Sequence, residues 1–325
     1  MVTRTQKILN QCNTGGKGLE VAPSFSPICP KRDGYNVETI DHLNKEGLKK
    51  KYAGHGFNLE AIEDVDYVWS GEKYSDLTGK ANHYDYIVAS HVIEHVCDLI
   101  GFINDCEKML SDEGILALAI PDKRYTFDYF RPLSSISKAI DCHLNNQSLH
   151  SPGTILENYL NIVKNNDKIW WTPECIERNF SSMHTIEVAK NFLNESLKQN
   201  EYMDAHSWIF TKSSFELMIY DLNCLGYTNL RVIEIYDVEG NEFVVSLRKQ
   251  KDNEVRNENK RLKLFQNIER ELSLNMALDS PIFKEYIERI HNSYIESTSW
   301  RITKPIRSIK HFFISLREKA QRNNR

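Results

Sequence analysis

The segment from Tyr84 to Pro121 narrows the possible folds more than any other part of the chain. Tyr86-Ile87-Val88-Ala89 is a short run of β-favouring residues that stops at Ser90-His91. Leu99, Phe102, Ile103, Cys106, Met109 and Leu110 then recur every three or four residues, which is one face of a helix. Asp98 stands where an N-cap would, and Asp112-Glu113-Gly114 where the helix must stop and turn. Ile115 to Ile120 is unbroken apolar sequence ending at Pro121-Asp122. A strand apolar at every position needs cover on both faces, which points to a parallel sheet between helical layers. Polar residues gather at the C-terminal ends of both strands: Ser90, His91, Glu94 and His95 after the first, Asp122, Lys123 and Arg124 after the second. Open α/β sheets bind ligands along that edge.

The flanking sequence extends the pattern in both directions. Gly18-Leu19-Glu20-Val21-Ala22 reads as a first buried strand running into the turn Pro23-Ser24-Phe25-Ser26-Pro27. The alternating run from Tyr35 ends on the acid Asp41, about 20 residues after Glu20, where such sheets place a carboxylate on ribose hydroxyls. Asp64 to Trp69 predicts a third strand before Ser70-Gly71. Residues 123–205 interrupt the alternation with helical stretches (Ser134 to Leu144, Thr154 to Val163, Ile186 to Leu197) and loops rich in His, Trp and Asn. An insertion of this kind acts as a lid or substrate selector. Phe215, Leu217, Met218, Leu222 and Leu225 predict a helix closed by Gly226, and Leu230–Tyr236 with Glu242–Leu247 predict a hairpin. A closing hairpin sets this sheet apart from the all-parallel nicotinamide-binding type.

Composition removes several classes of protein. With 41% hydrophobic and 10% aromatic residues, the chain can bury a core and is not a disordered segment. The seven cysteines are odd in number, scattered, and form no CxxC, so reduced thiols are expected rather than a disulfide framework or a zinc ribbon. The N-terminus lacks the apolar core of a signal peptide. No apolar run approaches the roughly 20 residues that span a bilayer, so a cytoplasmic location is expected. Residues 1–250 carry 25 Lys and Arg against 35 Asp and Glu, whereas residues 251–325 carry 16 against 10. An acidic body without a recognition motif excludes nucleic acid as partner. Residues 251–325 read as a helical, basic extension to a domain at 1–250, with Phe265, Ile268, Leu272 and Met276 as one stripe and Phe283, Tyr286, Ile287, Ile290 and Tyr294 as another. Beyond Ser297 there are eight basic residues against one acid, and Ile306, Ile309, Phe312, Phe313 and Leu316 recur at helical spacing. Such a helix would contact the inner face of the membrane peripherally, dock on the body, or contact another subunit.

Taken together, Gly18-Leu19-Glu20-Val21-Ala22-Pro23, Asp41, the run Tyr84 to His95, and the segment Leu110 to Pro121 resemble the class I S-adenosylmethionine-dependent methyltransferases. The resemblance implies an α/β fold: a Rossmann-like, mostly parallel seven-stranded sheet ending in an antiparallel β-hairpin, here with the helical insertion and the helical C-terminal extension. It also implies S-adenosyl-L-methionine as cofactor. Glu20, Ala22, Pro23 and Ser24 would contact its methionine end, Asp41 its ribose, and Trp69 and Ser70 its adenine, while Ser90 and His91 would face the methyl group. The family's first loop reads E-x-G-x-G; here Ala22 and Ser24 stand at the glycine positions with Pro23 between them.

Ser90 to His95 and Pro121 to Asp128 are similar to a bacterial subgroup associated with surface-glycan synthesis, and Ser299 to Arg307 is similar to a C-terminal signature of some glycan-assembly enzymes. The implied function is O-methylation of a small-molecule or glycan acceptor in surface-polysaccharide biosynthesis. A non-catalytic scaffold of the same fold is the alternative, supported by the Ala22-Pro23-Ser24 loop. Transfer to oxygen needs a base beside the acceptor hydroxyl, and His91, Asp122 and His206 are the candidates. Glu94, Lys123 and Arg124 are candidates for holding the acceptor. His91 and His95 have the spacing of a metal pair, but no third ligand is evident in the sequence, so no metal is expected.

Overall fold

In the computed structural model, which describes residues 2–175, 177–198, 201–250, 256–279 and 281–296, the expected alternation of strands and helices is present. The elements are α1 (Arg4–Leu9), β1 (Gly18–Val21), β2 (Val37–Asp41), α2 (Lys45–Tyr52), β3 (Tyr67–Val68), α3 (Tyr74–Thr78), β4 (Tyr84–Ser90), α4 (Leu99–Met109) and β5 (Leu110–Pro121). The insertion holds α5 (Ile136–Leu144), α6 (Pro152–Asn161), β6 (Val163–Asn165), β7 (Phe180–Ser182) and α7 (Ile186–Ser196). Then come α8 (Lys212–Cys224), β8 (Leu230–Ile235), β9 (Glu242–Lys249), α9 (Glu258–Asp279) and α10 (Pro281–Glu296).

Seven strands form one sheet in the order β3-β2-β1-β4-β5-β9-β8. The first five are parallel, and β9 runs antiparallel to both β5 and β8. The two faces account for the unbroken apolar run in β5. Leu116, Leu118 and Ile120 pack into one cluster with Leu99, Ile103 and Cys106 of α4 and Phe215 and Leu222 of α8. Ile115, Ala117 and Ala119 pack into a second with Ile8 and Leu9 of α1, Ile28 and Cys29. Register sets the functional edge: Val21 lies level with Ile40 and Ala89, and Ser90 with Ala119. The loops after β1, β2, β4 and β5 therefore leave the sheet side by side.

Local signals explain most boundaries. Asp98 caps α4 by accepting from Gly101 N, and Ser151 caps α6 just before a proline at its first position. Two expectations shift. The third strand shrinks to two residues, because the Asp66 carboxylate accepts from Thr39 N at 2.7 Å and so replaces a ladder bond that β3 would have made. The turn expected at Asp112-Glu113-Gly114 is instead strand with a register shift in its pairing to β4. The pair β6 and β7, three residues each, escaped periodicity because so short a strand has no period.

The chain divides into two compact units, residues 1–271 and 272–325. The first runs on past the expected break at 250. Within it, Leu264 and Ile268 of α9 are buried, Arg261 grips Asp221 with contacts of 2.8 and 3.0 Å, and Ser213 Oγ donates to Glu271 at 2.7 Å. The second unit contains α10, where Arg289 pairs with Glu285 one turn earlier. The predicted basic helix and the Ser299 to Arg307 motif lie outside the described residues. Among the described residues, no helix is long and apolar enough to cross a membrane.

Candidate functional site

The loop after β1 has the backbone shape of a glycine loop without the glycines. Ala22 has φ 53° and Ser24 has φ 52°. Both lie in the left-handed region, which costs a residue with a Cβ about 1–2 kcal/mol. The loop is pinned from both ends. Glu20, buried in β1, accepts from Ile28 N at 2.6 Å and Cys29 N at 2.9 Å, and burial pushes its pKa up to about 7. Asp41, at the end of β2, accepts from Ser24 N at 2.9 Å and from His42 N at 2.8 Å. His42 Nδ1 lies 2.6 Å from the same carboxylate. That occupies three of about four lone-pair positions on a carboxylate. The partly exposed His42 ring is the donor best able to swing away for a ribose diol. Trp69 is half-buried, donates to Glu72 O at 2.6 Å and meets Tyr74 and Tyr202 edge-on. Ser70 is exposed and donates to Glu72.

These residues fit the cofactor that the sequence implies. The backbone of Ala22 and Ser24 lies where glycines would put it, and an acid stands at the β2 end. The strain yields a prediction. A β-branched side chain tolerates left-handed φ worst, so Ala22→Val should weaken cofactor binding by roughly tenfold and lower stability by about 1–2 kcal/mol. Ala22→Gly should bind at least as well as the parent, as read by calorimetric titration and thermal melting.

Past β4 the chain turns sharply at His91, whose φ is 54°. Ser90 Oγ accepts from Arg4 at 2.7 Å. Glu242, the first residue of β9, receives Arg4 at 2.5 and 2.8 Å and His91 Nε2 at 2.8 Å. Burial alone would lower the His91 pKa, but the hydrogen bond to Glu242 and the nearby negative charges of Glu94 and Glu242 outweigh it and push it up to about 10. His91 therefore faces the edge as a cation, which lacks the free lone pair of a base.

The β5 edge differs from expectation. Asp122 has no exposed surface, and Arg124 grips both its oxygens at 2.8 Å. The expected base is thus half of a buried ion pair. Arg124 is spent on that pair, and Lys123, itself buried, donates to Tyr129 O at 2.5 Å. Burial draws the Lys123 pKa down to about 8. Neither cation projects freely to hold an anionic acceptor. Side chains this close to a sheet end are absorbed by the insertion folding over them, which sequence spacing does not reveal.

The remaining polar groups converge. Glu94 is fully buried, and its backbone O accepts from Ser207 N at 2.7 Å and Trp208 N at 3.2 Å. That clamp brings His206, more than a hundred residues away in sequence, against His95, their rings edge-to-face at 4.6 Å. His95 Nδ1 lies 2.7 Å from Asp204 Oδ1, and His206 Nδ1 lies 2.5 Å from Asp128 Oδ2. Arg131, with no exposed side chain, donates to Asp128 and to His206 O, each at 2.8 Å. Arg4, Asp128, Arg131, Asp204 and Glu242 were invisible to motif reading. The faint signals are Asp128 closing the Pro121 to Asp128 segment and Asp204 standing two residues before His206.

A sheet of this order, with an antiparallel β9 inserted between β5 and β8 and a strained loop facing an acid at the β2 end, defines a class I methyltransferase fold. The family model described as a methyltransferase domain matches residues 12–224, and the chain belongs to that family. It is an S-adenosylmethionine-dependent methyltransferase, and the non-catalytic alternative loses its main support in the glycine-like shape of the Ala22–Ser24 backbone. No curated protein sequence matches the chain. Among solved structures, the chain is similar to the CcbJ methyltransferase from Streptomyces caelestis at 11% identity, covering 75% of this chain and 87% of that one with a TM-score of 0.40. A SAM-dependent methyltransferase from Aquifex aeolicus is 12% identical, with 76% and 89% covered and a TM-score of 0.35. An S-adenosylmethionine-dependent methyltransferase from Clostridium acetobutylicum is 11% identical, with 75% and 90% covered and a TM-score of 0.37. At such scores these likenesses carry no weight; membership rests on the family match.

Proposed function

We propose that this enzyme methylates a hydroxyl oxygen of a small-molecule or glycan acceptor in bacterial surface-polysaccharide synthesis. The observation that carries the site assignment is the meeting of Glu94, His95 and His206 past the end of β4, with His91 Nδ1 3.3 Å from Glu94. The neighbouring strand β1 leads into the Ala22–Ser24 loop. The cofactor, when bound, supplies an electrophilic methyl carbon, so that a C–O bond forms as the C–S bond breaks and its electron pair stays on sulfur. The chain's part is to align the acceptor and to receive or release the hydroxyl proton. Glu20, Ala22, Pro23, Ser24 and Asp41 hold the cofactor's methionine and ribose parts in this reading, with Trp69 and Ser70 beside the base. The insertion supports a sugar-like acceptor through exposed aromatic faces, Phe130 at 59% and Trp170 at 54% exposure, surfaces on which apolar ring faces rest.

Mass spectrometry of surface glycans from wild-type and deletion strains tests the acceptor. Loss of one methyl mass from a single residue is expected. Unchanged glycan masses, alongside intact cofactor binding by the purified protein, would move the acceptor to another chemical class.

A further inference from the structure

We infer that Glu94, His95 and His206 form a site for a divalent first-row transition-metal ion at the acceptor edge. One ligand atom from each lies within 4.8 Å of the others, among the described residues. Two further observations point to an ion rather than to a packed polar cluster.

The first is Glu94. Its side chain is fully buried, and neither carboxylate oxygen has a hydrogen-bond partner. The nearest nitrogens are His91 Nδ1 at 3.3 Å and His95 Nε2 at 3.9 Å, both without hydrogen-bond geometry. The His91 ring at 3.3 Å offsets part of the several kcal/mol that burying a carboxylate costs, but it leaves both oxygens without a hydrogen-bond donor. A cation on these oxygens removes that cost.

The second is the orientation of the two imidazoles. His95 turns Nδ1 to Asp204 at 2.7 Å, and His206 turns Nδ1 to Asp128 at 2.5 Å. A carboxylate on Nδ1 fixes the proton there and leaves Nε2 with its lone pair. This carboxylate–histidine arrangement recurs behind metal-bound histidines, where it sets the tautomer and raises ligand basicity. Both carboxylates are themselves secured, Asp128 by Arg131 at 2.8 Å and Asp204 by Tyr202 OH at 3.3 Å. The backbone clamp from Ser207 N and Trp208 N to Glu94 O then fixes the spacing between the ligand-bearing segments.

Two imidazole nitrogens and one carboxylate oxygen suit zinc, manganese or iron in the divalent state better than calcium or magnesium. Three protein ligands leave positions open, as catalytic sites do. On the reading of this edge as the acceptor site, an open position takes the acceptor hydroxyl. The ion lowers the hydroxyl pKa, and the released proton leaves to solvent.

The test uses the full-length protein, stripped with chelator and titrated with Zn²⁺ and separately with Mn²⁺ by calorimetry, with bound metal counted by elemental mass spectrometry. One ion per chain is expected. Glu94→Gln and His206→Gln should each weaken binding at least 100-fold, and Asp204→Asn, which touches no ion, about 10–100-fold. Visible absorption of a Co²⁺-loaded sample gives a second readout, which the three variants should diminish in the same order. Absence of stoichiometric binding by the folded wild-type protein overturns the inference, as does binding that both ligand variants leave unchanged. Cofactor affinity, measured on the same samples, separates the two readings: stoichiometric metal without cofactor binding would defeat the proposed function and leave the metal site standing.

Discussion

Arg131→Met is expected to destabilise the first unit by about 3–5 kcal/mol, the typical cost of removing one partner from a buried ion pair. The Arg131 guanidinium has no solvent to fall back on. It donates to Asp128 Oδ1 at 2.8 Å, Asn158 Oδ1 at 3.2 Å and His206 O at 2.8 Å. Methionine fills similar volume but leaves the Asp128 carboxylate charged and buried, with His206 Nδ1 as its remaining partner. In a unit of this size, each kcal/mol moves the melting temperature by roughly 2–4 °C, so a fall of about 10 °C is expected by calorimetry. Arg131→Lys keeps the charge and loses the planar fork, and should fall between. A melting temperature within about 2 °C of wild type for Arg131→Met would show that Asp128 is neutral or hydrated in the folded protein. Because Arg131 also holds the His206 carbonyl, the same variant should loosen the acceptor edge.

The second large effect is on cofactor affinity. Asp41→Ala is expected to raise the dissociation constant for S-adenosylmethionine at least 100-fold. Two hydrogen bonds to a charged acceptor contribute about 1.5–3 kcal/mol each, and about 1.4 kcal/mol is tenfold. The alanine also frees Ser24 N and His42 N, the groups that hold the first loop to the end of β2. Calorimetric titration reads the loss, and a melt shows that the protein remains folded. Affinity within threefold of wild type would remove Asp41 from the ribose site and assign it to loop structure alone.

Both variants probe residues that sequence treats very differently. Asp41 was legible because its role follows from place: an acid closing the second strand of a parallel sheet, about 20 residues after the first strand's own. The same logic made β4, α4 and β5 legible, since burial on both faces writes an unbroken apolar run into Ile115 to Ile120. Arg131 was illegible. A lone arginine in an insertion looks like a solvated surface residue, and only the packing of the insertion against the segment around His206 turns it into a buried tie. Asp122, Lys123 and Arg124 failed in the opposite direction: their position at a strand end suggested chemistry, yet the folded insertion uses all three internally. The Ala22–Ser24 loop shows a third case. Its residue identities depart from the family pattern, but Ala22 and Ser24 take the left-handed φ that glycine adopts most readily, and angles are what let a main chain approach a ligand.

Sequence by itself determined the order of strands and helices, the edge of the sheet where ligands gather, and the cofactor class. The first two follow from periodicity and chain order, which are local properties of neighbouring residues, and the cofactor class from the resemblance that Gly18 to Pro23, Asp41 and Tyr84 to Pro121 bear to a known family. Tertiary structure alone decided which polar side chains are free and which are consumed, and it brought His206 to Glu94 and His95. Pairings across a hundred residues depend on how an insertion folds back over a sheet edge, and no spacing along the chain records where that return will land.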